Sequence, residues 1–276
     1  MVRRRRRALA EAAPGASFLL DRAIEDLLER LSAVERRFEK AAALFGVTPA
    51  LRDGLFASRK VEAAIRVEAH PAFLGQDQGL VGSLDYIPLE PESIDLAVSL
   101  LALQEANDLP GALIQIRRAL KPDGLFLAAI AGGDTLAQLR ESLLVAETEL
   151  YGGASPRVAP FTDIRDAGAL LQRAGFALPV ADIEPVTVRY ASMFDLMRDL
   201  RAMGATSTLL SRSRRPATRE LFARAAEIYA ERFADPDGRV RATFAFVWMS
   251  GWAPHASQQQ PLKPGSAKVS LAKVLK

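Results

Sequence analysis

The segment 93–135 restricts the fold of this chain more than any other stretch. It contains two apolar runs, 94–98 and 125–130, in which polar residues do not alternate with apolar ones. Between them, apolar residues recur at three- and four-residue steps after Asp108, a favourable helix-capping residue. Two strands that are buried on both faces and joined by a helix form a parallel βαβ unit. The segment therefore predicts an α/β protein with a doubly wound, mostly parallel sheet.

The remaining residues continue this alternation of strands and helices. A helix is predicted from Ser17, because leucines recur on one face of the residues that follow. The residues K-P-D-G at 121–124 predict a turn between the central helix and the second strand. Further helices are predicted over residues 134–151, 163–174, 194–203 and 219–233, and further strands over residues 41–47, 63–68, 177–180, 186–190 and 243–249.

The composition is that of a globular domain and excludes several kinds of site. Of the 276 residues, 49% are apolar and 25% are charged, as in ordinary folded chains. The absence of cysteine excludes disulfide bonds, thiolate zinc sites and a cysteine nucleophile. Only His70 and His255 could supply imidazole, so we expect no metal site. No apolar run reaches the roughly 18 residues of a membrane span, and we expect no such span.

The positive charge of the chain is concentrated in its first residues. Arg3 to Arg7 contribute five positive charges, and without them the net charge of +3 becomes −2. Such a local cluster does not favour nucleic-acid binding, and a solvated N-terminal arm over residues 1–16 is expected. A second basic cluster at 211–215 lacks interleaved aromatic residues and is likewise expected to be a solvated loop.

Two stretches carry a resemblance to known proteins. The residues D-L-A-V-S at 95–99 and R-R-A-L-K-P-D-G-L-F-L at 117–127 resemble the fourth strand, fourth helix and fifth strand of class I S-adenosylmethionine-dependent methyltransferases. The continuation, from G-G-D-T-L at 132–136 to G-G-A-S-P-R-V-A-P-F at 152–161, is similar to the methyltransferase-like assembly factors of respiratory complex I. That family includes a protein arginine hydroxylase.

The resemblance implies a Rossmann-like class I methyltransferase fold over residues 17–253. Inserted helices over residues 194–234 would precede the last strand and lie over the pocket. A polar C-terminal tail, residues 254–276, would follow this domain. The match is close after Asn107 and poor between residues 41 and 105.

The resemblance also implies where S-adenosylmethionine would bind. Gly46 occupies the turn after the first strand, where the family's glycine-rich backbone approaches the cofactor. Glu68 stands at the end of the second strand, the position of the acid that binds the ribose hydroxyls. Ser83 aligns with the acid that contacts adenine, and Asp85 lies two residues later. Leu100, at the end of the fourth strand, completes this set of cofactor-binding candidates.

Several departures from the family's pattern predict that binding of S-adenosylmethionine is weak or lost. The usual D-x-G-x-G turn is reduced to one glycine in A-L-F-G-V-T-P, and Pro49 lacks an N–H near that turn. Gln104 and Glu105 replace the His-Trp pair that covers the cofactor in the assembly-factor family. Glu105 is interpreted either as a polar pocket residue or as an ordinary surface acid.

Three functions remain open at this point. The resemblance to complex I assembly factors implies a protein client from a respiratory complex and modification of a protein side chain. The chain could instead be an S-adenosylmethionine-dependent methyltransferase of a small molecule, or an assembly or chaperone protein without catalysis. No catalytic residue and no metal ligand is assigned. The expected location is the cytoplasm, or the mitochondrial matrix in a eukaryote.

A partner surface is expected at the carboxyl edge of the sheet, where ligands of such folds bind. The segments 152–161, 211–215 and 252–266 are predicted to converge there, with Phe161, Trp248 or Trp252 as buried anchors. The arginines of the second segment would bind an acidic or backbone-rich client.

Overall fold

The computed structural model describes Arg5, Ala8, residues 16–209, Ser211 and residues 216–259. The strands are β1 (Phe38–Leu44), β2 (Val61–Glu68), β3 (Gly79–Val81), β4 (Ile94–Leu100), β5 (Leu120–Ala131), β6 (Ala177–Tyr190) and β7 (Val240–Trp252). The helices are α1 (Phe18–Ser32), α2 (Ala50–Ala57), α3 (Pro71–Leu74), α4 (Leu109–Ala119), α5 (Ala137–Tyr151), α6 (Ile164–Arg173), α7 (Met193–Ala202) and α8 (Arg219–Phe233).

The described strands form one seven-stranded sheet in the order β3-β2-β1-β4-β5-β7-β6. Strands β1 to β5 run parallel, and β7 runs antiparallel between β5 and β6. The central strand β4 is buried along its whole length, as its continuous apolar pattern indicates. The predicted doubly wound α/β fold with a final antiparallel pair is confirmed.

Helices cover both faces of the sheet, and successive strand residues face different cores. One core contains Ala41, Val98 and Trp248 and lies against α1, α2, α5, α7 and α8. The other contains Ala42 and Ala97 and lies against α4 and α6. None of the helices in the described ranges combines the length and the apolar character that a membrane span requires.

The beginning of α4 shows how local sequence sets a helix boundary. The Asp108 carboxylate accepts the N–H of Gly111 at 2.9 Å, and Pro110 occupies the first turn, where its missing N–H has no cost. A β-carbon on Gly111 would lie 2.2 Å from the Asp108 carboxylate, so a larger residue here would displace the capping side chain. The helix and the capping residue predicted from the sequence are confirmed.

Several boundaries predicted from the sequence are wrong, and β1 spans Phe38–Leu44 rather than residues 41–47. β6 is one continuous strand rather than two short strands over 177–180 and 186–190. It lies at the edge of the sheet, where the missing N–H of Pro185 does not interrupt a ladder between two neighbours. The predicted turn at 121–124 is part of β5, where the pairing with β4 shifts register and Asp123 adopts a positive φ of 61°.

Strand β7 carries the chain back to the amino edge of the parallel strands. Trp252 pairs with Leu125, near the beginning of β5. The side-chain amide of Gln258 then donates to the Asp123 carboxylate at 2.8 Å. The described part of the C-terminal tail therefore lies at the edge opposite to the carboxyl ends of the strands.

This direction of β7 contradicts the predicted partner surface. The segment 152–161 and the described residues 252–259 do not converge, because an antiparallel last strand returns the chain to the opposite edge. Trp248 is a core residue, 2% exposed, and Arg30 stacks over its ring at 4.4 Å. Residues 212–215 and 260–266 of that prediction lie outside the described part of the chain.

Asp95 joins β4 to the beginning of β1. Its buried carboxylate accepts the N–H groups of Glu39 at 2.7 Å and Lys40 at 3.0 Å. Asp95→Ala removes the acceptor from both donors, and we expect the free energy of unfolding to fall by about 1–3 kcal/mol. Asp95→Asn keeps one side-chain oxygen and should lose less. Urea unfolding followed by circular dichroism measures both, and an alanine variant as stable as the unaltered protein would contradict this role.

Candidate ligand-binding site

A cavity of about 760 Å³ opens at the carboxyl edge of the parallel strands. The turns that follow β1 and β4 form its floor, and its walls come from α5, the end of α7 and the loop between α5 and α6. The described residues that line it include Gly46, Val47, Thr48, Leu100, Leu101, Gln104, Glu105, Leu136, Leu139, Leu143, Phe161, Leu200, Met203 and Phe222. The mostly apolar walls and the few polar groups suit a ligand with an apolar body and a polar end.

Two carbonyl groups on the cavity floor belong to residues with an unusual backbone. Phe45 follows β1 and Leu101 follows β4, and their φ angles are 59° and 52°. Their N–H groups donate to the carbonyl oxygens of Val67 at 2.7 Å and Ala129 at 2.8 Å. Non-glycine residues in this left-handed region are strained and cluster at functional sites. Both carbonyl oxygens accept hydrogen bonds from one side chain, that of Arg5.

The guanidinium of Arg5 lines the cavity. Its Nη1 donates to the Phe45 carbonyl at 3.3 Å, and its Nη2 donates to the Leu101 carbonyl at 2.9 Å. Nη2 also lies 3.3 Å from Glu105 Oε1, and the Arg5 side chain is only 12% exposed. The cavity thus presents two carbonyl oxygens and a carboxylate to one guanidinium. Of the two interpretations of Glu105, the structure supports the pocket residue.

Glu68 lies next to the turn at Gly46 and is engaged in internal contacts. Its side chain is 1% exposed, Oε1 accepts from Arg66 Nη2 at 2.8 Å, and Oε2 accepts the N–H of Val47 at 3.1 Å. A β-carbon on Gly46 would lie 3.9 Å from Glu68 Oε1, which places the turn directly against the acid. Burial raises the pKa of Glu68, and the positive charges of Arg66 and Arg5 partly oppose this rise.

Ser83 and Asp85 lie in a turn after β3. The backbones of Ser83 and Tyr86 pair with each other, and the Asp85 carboxylate accepts from Asn107 Nδ2 at 3.3 Å. The Asp85 carbonyl accepts from Gln115 Nε2 at 3.1 Å, which fastens the turn to α4. Neither Ser83 nor Asp85 belongs to the described lining of the cavity.

An ion pair with a buried carboxylate holds the loop that forms one cavity wall. Glu147 on α5 is 4% exposed, and its Oε1 lies 2.7 Å from Arg157 Nη2. Its Oε2 accepts the N–H of Ser155 at 2.9 Å. Arg157 itself lines the cavity, so this pair connects α5 to the wall above the floor.

Of the five cofactor-binding candidates, the structure brings Gly46 and Leu100 together at the cavity, with Glu68 adjacent. It leaves Ser83 and Asp85 outside the cavity lining, on the side of α4. The assignment of all five to a cofactor stays a prediction.

Sequence reasoning missed Arg5 as a site residue. Five consecutive arginines carry no pattern that distinguishes one from the others, and the carbonyls that bind Arg5 depend on backbone angles at Phe45 and Leu101. The replacement of the family's His-Trp pair by Gln104 and Glu105 was the available signal. Among the described residues, no three His, Asp or Glu side chains are grouped as a metal site would require.

Comparison with known proteins agrees with this fold. The family description "Methyltransferase domain" matches residues 55–128. The crystal structure of a candidate methyltransferase from Bacillus halodurans C-125 superposes with a TM-score of 0.57 at 15% identity, covering 83% of this chain and 98% of its own. At this identity the likeness shows the fold alone. The chain therefore has the class I methyltransferase fold.

Curated relatives define the group more closely. The arginine-hydroxylase NDUFAF5, mitochondrial, of Danio rerio is 43% identical over 199 residues, 72% of this chain and 62% of that protein. The malonyl-[acyl-carrier protein] O-methyltransferase of Halorhodospira halophila is 32% identical over 280 residues, 98% of this chain and 93% of that protein. The chain belongs to the class I S-adenosylmethionine-dependent methyltransferase family, and it is similar in sequence to the methyltransferase-like arginine-hydroxylases. It spans less than two thirds of the length of the arginine-hydroxylases it matches.

The family implies S-adenosylmethionine, and the residues present fit only one end of that molecule. The carbonyl oxygens of Phe45 and Leu101, with the Glu105 carboxylate, suit a cationic group such as the ammonium of its amino-acid end. Glu68, the acid expected at the ribose, has both carboxylate oxygens engaged in contacts inside the protein.

Proposed function

We propose that this chain is a methyltransferase-like assembly factor of the respiratory complex I type, which binds and modifies an arginine side chain of a client protein. The observation that carries this proposal is the binding of Arg5 by the carbonyls of Phe45 and Leu101 and by Glu105. A guanidinium carries five N–H donors in a planar fork and no acceptor, so it matches three converging acceptors. The relatives named arginine-hydroxylases support the same class of ligand.

The cavity walls suit the remainder of an arginine side chain. Leu136, Leu139 and Phe161 provide apolar surface above the polar floor. The methylene groups of an arginine pack on such surface while its charged end reaches the acceptors. In a client complex the described residues would therefore bind the guanidinium, orient it and exclude water from it.

We propose that S-adenosylmethionine, which supplies a methyl group when bound to members of this family, binds weakly or not at all. Arg66 engages the acid expected at its ribose, and Gly46 is the one glycine left in the turn. The cationic end of the cofactor would also need the acceptors that hold Arg5. These observations support a remodelled site rather than an ordinary methyltransferase pocket.

The relatives also suggest a partner and a location. The arginine-hydroxylases carry "mitochondrial" in their names, and the assembly-factor resemblance implies a subunit of respiratory complex I as the client. We propose that this chain meets its client in the cytoplasm of a bacterium, or in the mitochondrial matrix of a eukaryote.

A second candidate function is methylation of a small molecule or of an acyl group on its carrier protein. The observation that favours it is the match to the malonyl-[acyl-carrier protein] O-methyltransferase, which covers 98% of this chain and 93% of that protein. The engaged Glu68 and the Arg5 guanidinium in the cavity weigh against it.

The proposed function is tested by removing the gene from the cells that encode it. Complex I purified from the deletion strain and from strains complemented with the unaltered chain, Glu105→Gln or Glu62→Gln is mapped by peptide mass spectrometry. Glu62 is exposed on β2, so its variant controls for the loss of one carboxylate. We expect an arginine of one subunit to carry the mass of one added oxygen in the complemented strain and in Glu62→Gln, and to lose it in the deletion strain and in Glu105→Gln.

Each of the other possible results of this experiment would indicate a different function. An added methyl group in place of oxygen would identify a protein methyltransferase. Incomplete assembly without any mass change would identify an assembly factor without catalysis. The second candidate function would be established by two results together. Complex I would be normal in the deletion strain, and the purified chain would transfer methyl from S-adenosylmethionine to malonyl-acyl carrier protein.

A further inference from the structure

We propose that Arg5 of the chain's own N-terminal arm (residues 1–16) is a built-in occupant of the guanidinium site, so that the arm must leave before a client arginine can enter. The proposal rests on the proposed function for the identity of the outside ligand. The docking of the arm itself stands on contacts that involve no client.

The contacts of Arg5 engage the same acceptors that a client arginine would need. Nη1 and Nη2 donate to the Phe45 and Leu101 carbonyls, and Nη2 also pairs with Glu105. The charge of Arg5 reaches far enough into the floor to lower the pKa of Glu68, although burial of that acid has the larger, opposite effect. A second guanidinium could not make the same three contacts while Arg5 makes them.

Arg5 and Ala8 are also packed against the turn that follows α7. Gly204 in this turn has a φ of 73°, and a β-carbon there would lie 3.4 Å from the Arg5 Cα and 3.3 Å from the Ala8 Cβ. Arg5 thus lies between the end of α7 and the strained turns that follow β1 and β4. Contacts on two sides, with a side chain that is only 12% exposed, describe a docked residue.

Competition follows from this geometry. When only a fraction of the molecules has an empty site, the apparent affinity for an outside ligand is reduced by that fraction. Removing Arg5 should therefore strengthen binding of an outside arginine without adding any contact to it. An outside arginine should in turn release the arm.

Trypsin can report the docking of Arg5 directly. Cleavage of the 5–6 bond requires the Arg5 side chain to enter the protease, which it cannot do while it occupies the cavity. With the full chain, cleavage after Arg5 is timed by mass spectrometry for the unaltered protein, Glu105→Gln and the exposed control Glu62→Gln. Because loss of a charge-assisted partner weakens docking, we expect cleavage after Arg5 to accelerate about tenfold in Glu105→Gln and not in Glu62→Gln.

Competition is then measured with N-acetyl-L-arginine methylamide, and its neutral citrulline counterpart serves as the control ligand. Calorimetry of the full chain should show about tenfold tighter binding of the arginine probe to Arg5→Ala than to the unaltered protein. Arg37→Ala is the matched control, because Arg37 is an exposed arginine before β1, at the opposite edge of the sheet. The arginine probe, and not the citrulline probe, should accelerate cleavage after Arg5.

The outcomes separate this inference from the proposed function. The docking of Arg5 would be overturned if cleavage after Arg5 were equally fast in the unaltered protein, in Glu105→Gln and in a free peptide of residues 1–15. Equal probe affinity of Arg5→Ala and Arg37→Ala would overturn the competition. Cleavage after Arg5 could be faster in Glu105→Gln while even Arg5→Ala binds no arginine probe. The first result would uphold the docking of Arg5, and the second would overturn a client arginine as the ligand.

Discussion

Replacing Arg66 by methionine is expected to lower the free energy of unfolding by about 3–5 kcal/mol, because it leaves a buried carboxylate without its partner. Arg66 and Glu68 are both 1% exposed and lie 2.8 Å apart. Arg66 also donates to the Phe73 carbonyl at 2.8 Å and to Asp77 Oδ2 at 2.8 Å, so it fastens the segment after β2 to the strand. Urea unfolding monitored by tryptophan fluorescence measures the loss.

Arg52→Met is the matched control for this variant. Arg52 also pairs with Asp77, at 2.7 Å, but its side chain is 24% exposed and water can replace the contact. We expect a much smaller loss there. The double variant Arg66→Met/Glu68→Leu should be more stable than Arg66→Met alone, because it removes the unpaired charge. Equal effects of Arg66→Met and Arg52→Met would show that the buried pair has no special role.

The pH dependence of Arg66→Met follows from the pKa of Glu68. Burial already raises this pKa, and loss of the arginine raises it further. A raised pKa of an acid means that stability falls as pH rises from the ordinary carboxyl range toward the folded-state pKa. The deficit of Arg66→Met should therefore be larger at pH 8 than at pH 5.

The sequence predicted the fold of this chain because the information is local and repeated. The apolar runs around Asp95 and Phe126 identify strands, and Asp108 identifies a helix start, without reference to distant residues. The predictions that failed depend on tertiary structure, which the local sequence does not show. The pairing of β6 as an edge strand explains why Pro185 does not end it, and the edge position cannot be read from the strand itself.

The site was less predictable for the same reason. Gly46 and Leu100 were identified from the family pattern, and both line the cavity. The state of Glu68 depends on Arg66, two residues earlier on the same strand and hence on the same face. That spacing could have indicated the ion pair from the sequence. The contact between Arg5 and Leu101 could not, because the two residues are 96 positions apart in the chain.

The ion pairs Arg66–Glu68 and Arg157–Glu147 support the floor and one wall of the cavity. The pair at Glu68 supports the turn at Gly46, and the pair at Glu147 supports the loop that carries Phe161. A guanidinium site benefits from such support, because hydrogen-bond acceptors recognise a planar fork only when they are held in place. Breaking either pair should therefore lower the free energy of unfolding directly. It should weaken ligand binding only indirectly, because the acceptors are then less firmly held.

Replacing Arg157 by methionine is expected to release the cavity wall and to lower the free energy of unfolding by about 2–3 kcal/mol. Burial raises the pKa of Glu147, but hydrogen bonds from Arg157 and from the Ser155 N–H outweigh burial and hold that pKa below its usual range. In Arg157→Met the carboxylate keeps only the Ser155 N–H among these donors, so part of its buried charge is uncompensated. Hydrogen exchange of residues 152–161 should accelerate in the same variant, because the loop loses its attachment to α5.

The control is Glu149→Gln, two residues further along α5. Glu149 pairs with Arg224 in a solvent-exposed contact, so its loss should change the free energy of unfolding little. The pKa of Glu147 is shifted in the opposite direction to that of Glu68, but the deficits of the two arginine variants change with pH in the same direction. Because the folded-state pKa of Glu147 is depressed, its pair stabilises the protein above the ordinary carboxyl pKa, and this stabilisation is lost as pH falls through the folded-state value. The deficit of Arg157→Met should thus be largest at neutral pH and shrink in acid. A deficit that grows in acid, or unchanged exchange in residues 152–161, would mean that the loop is held by its apolar contacts instead.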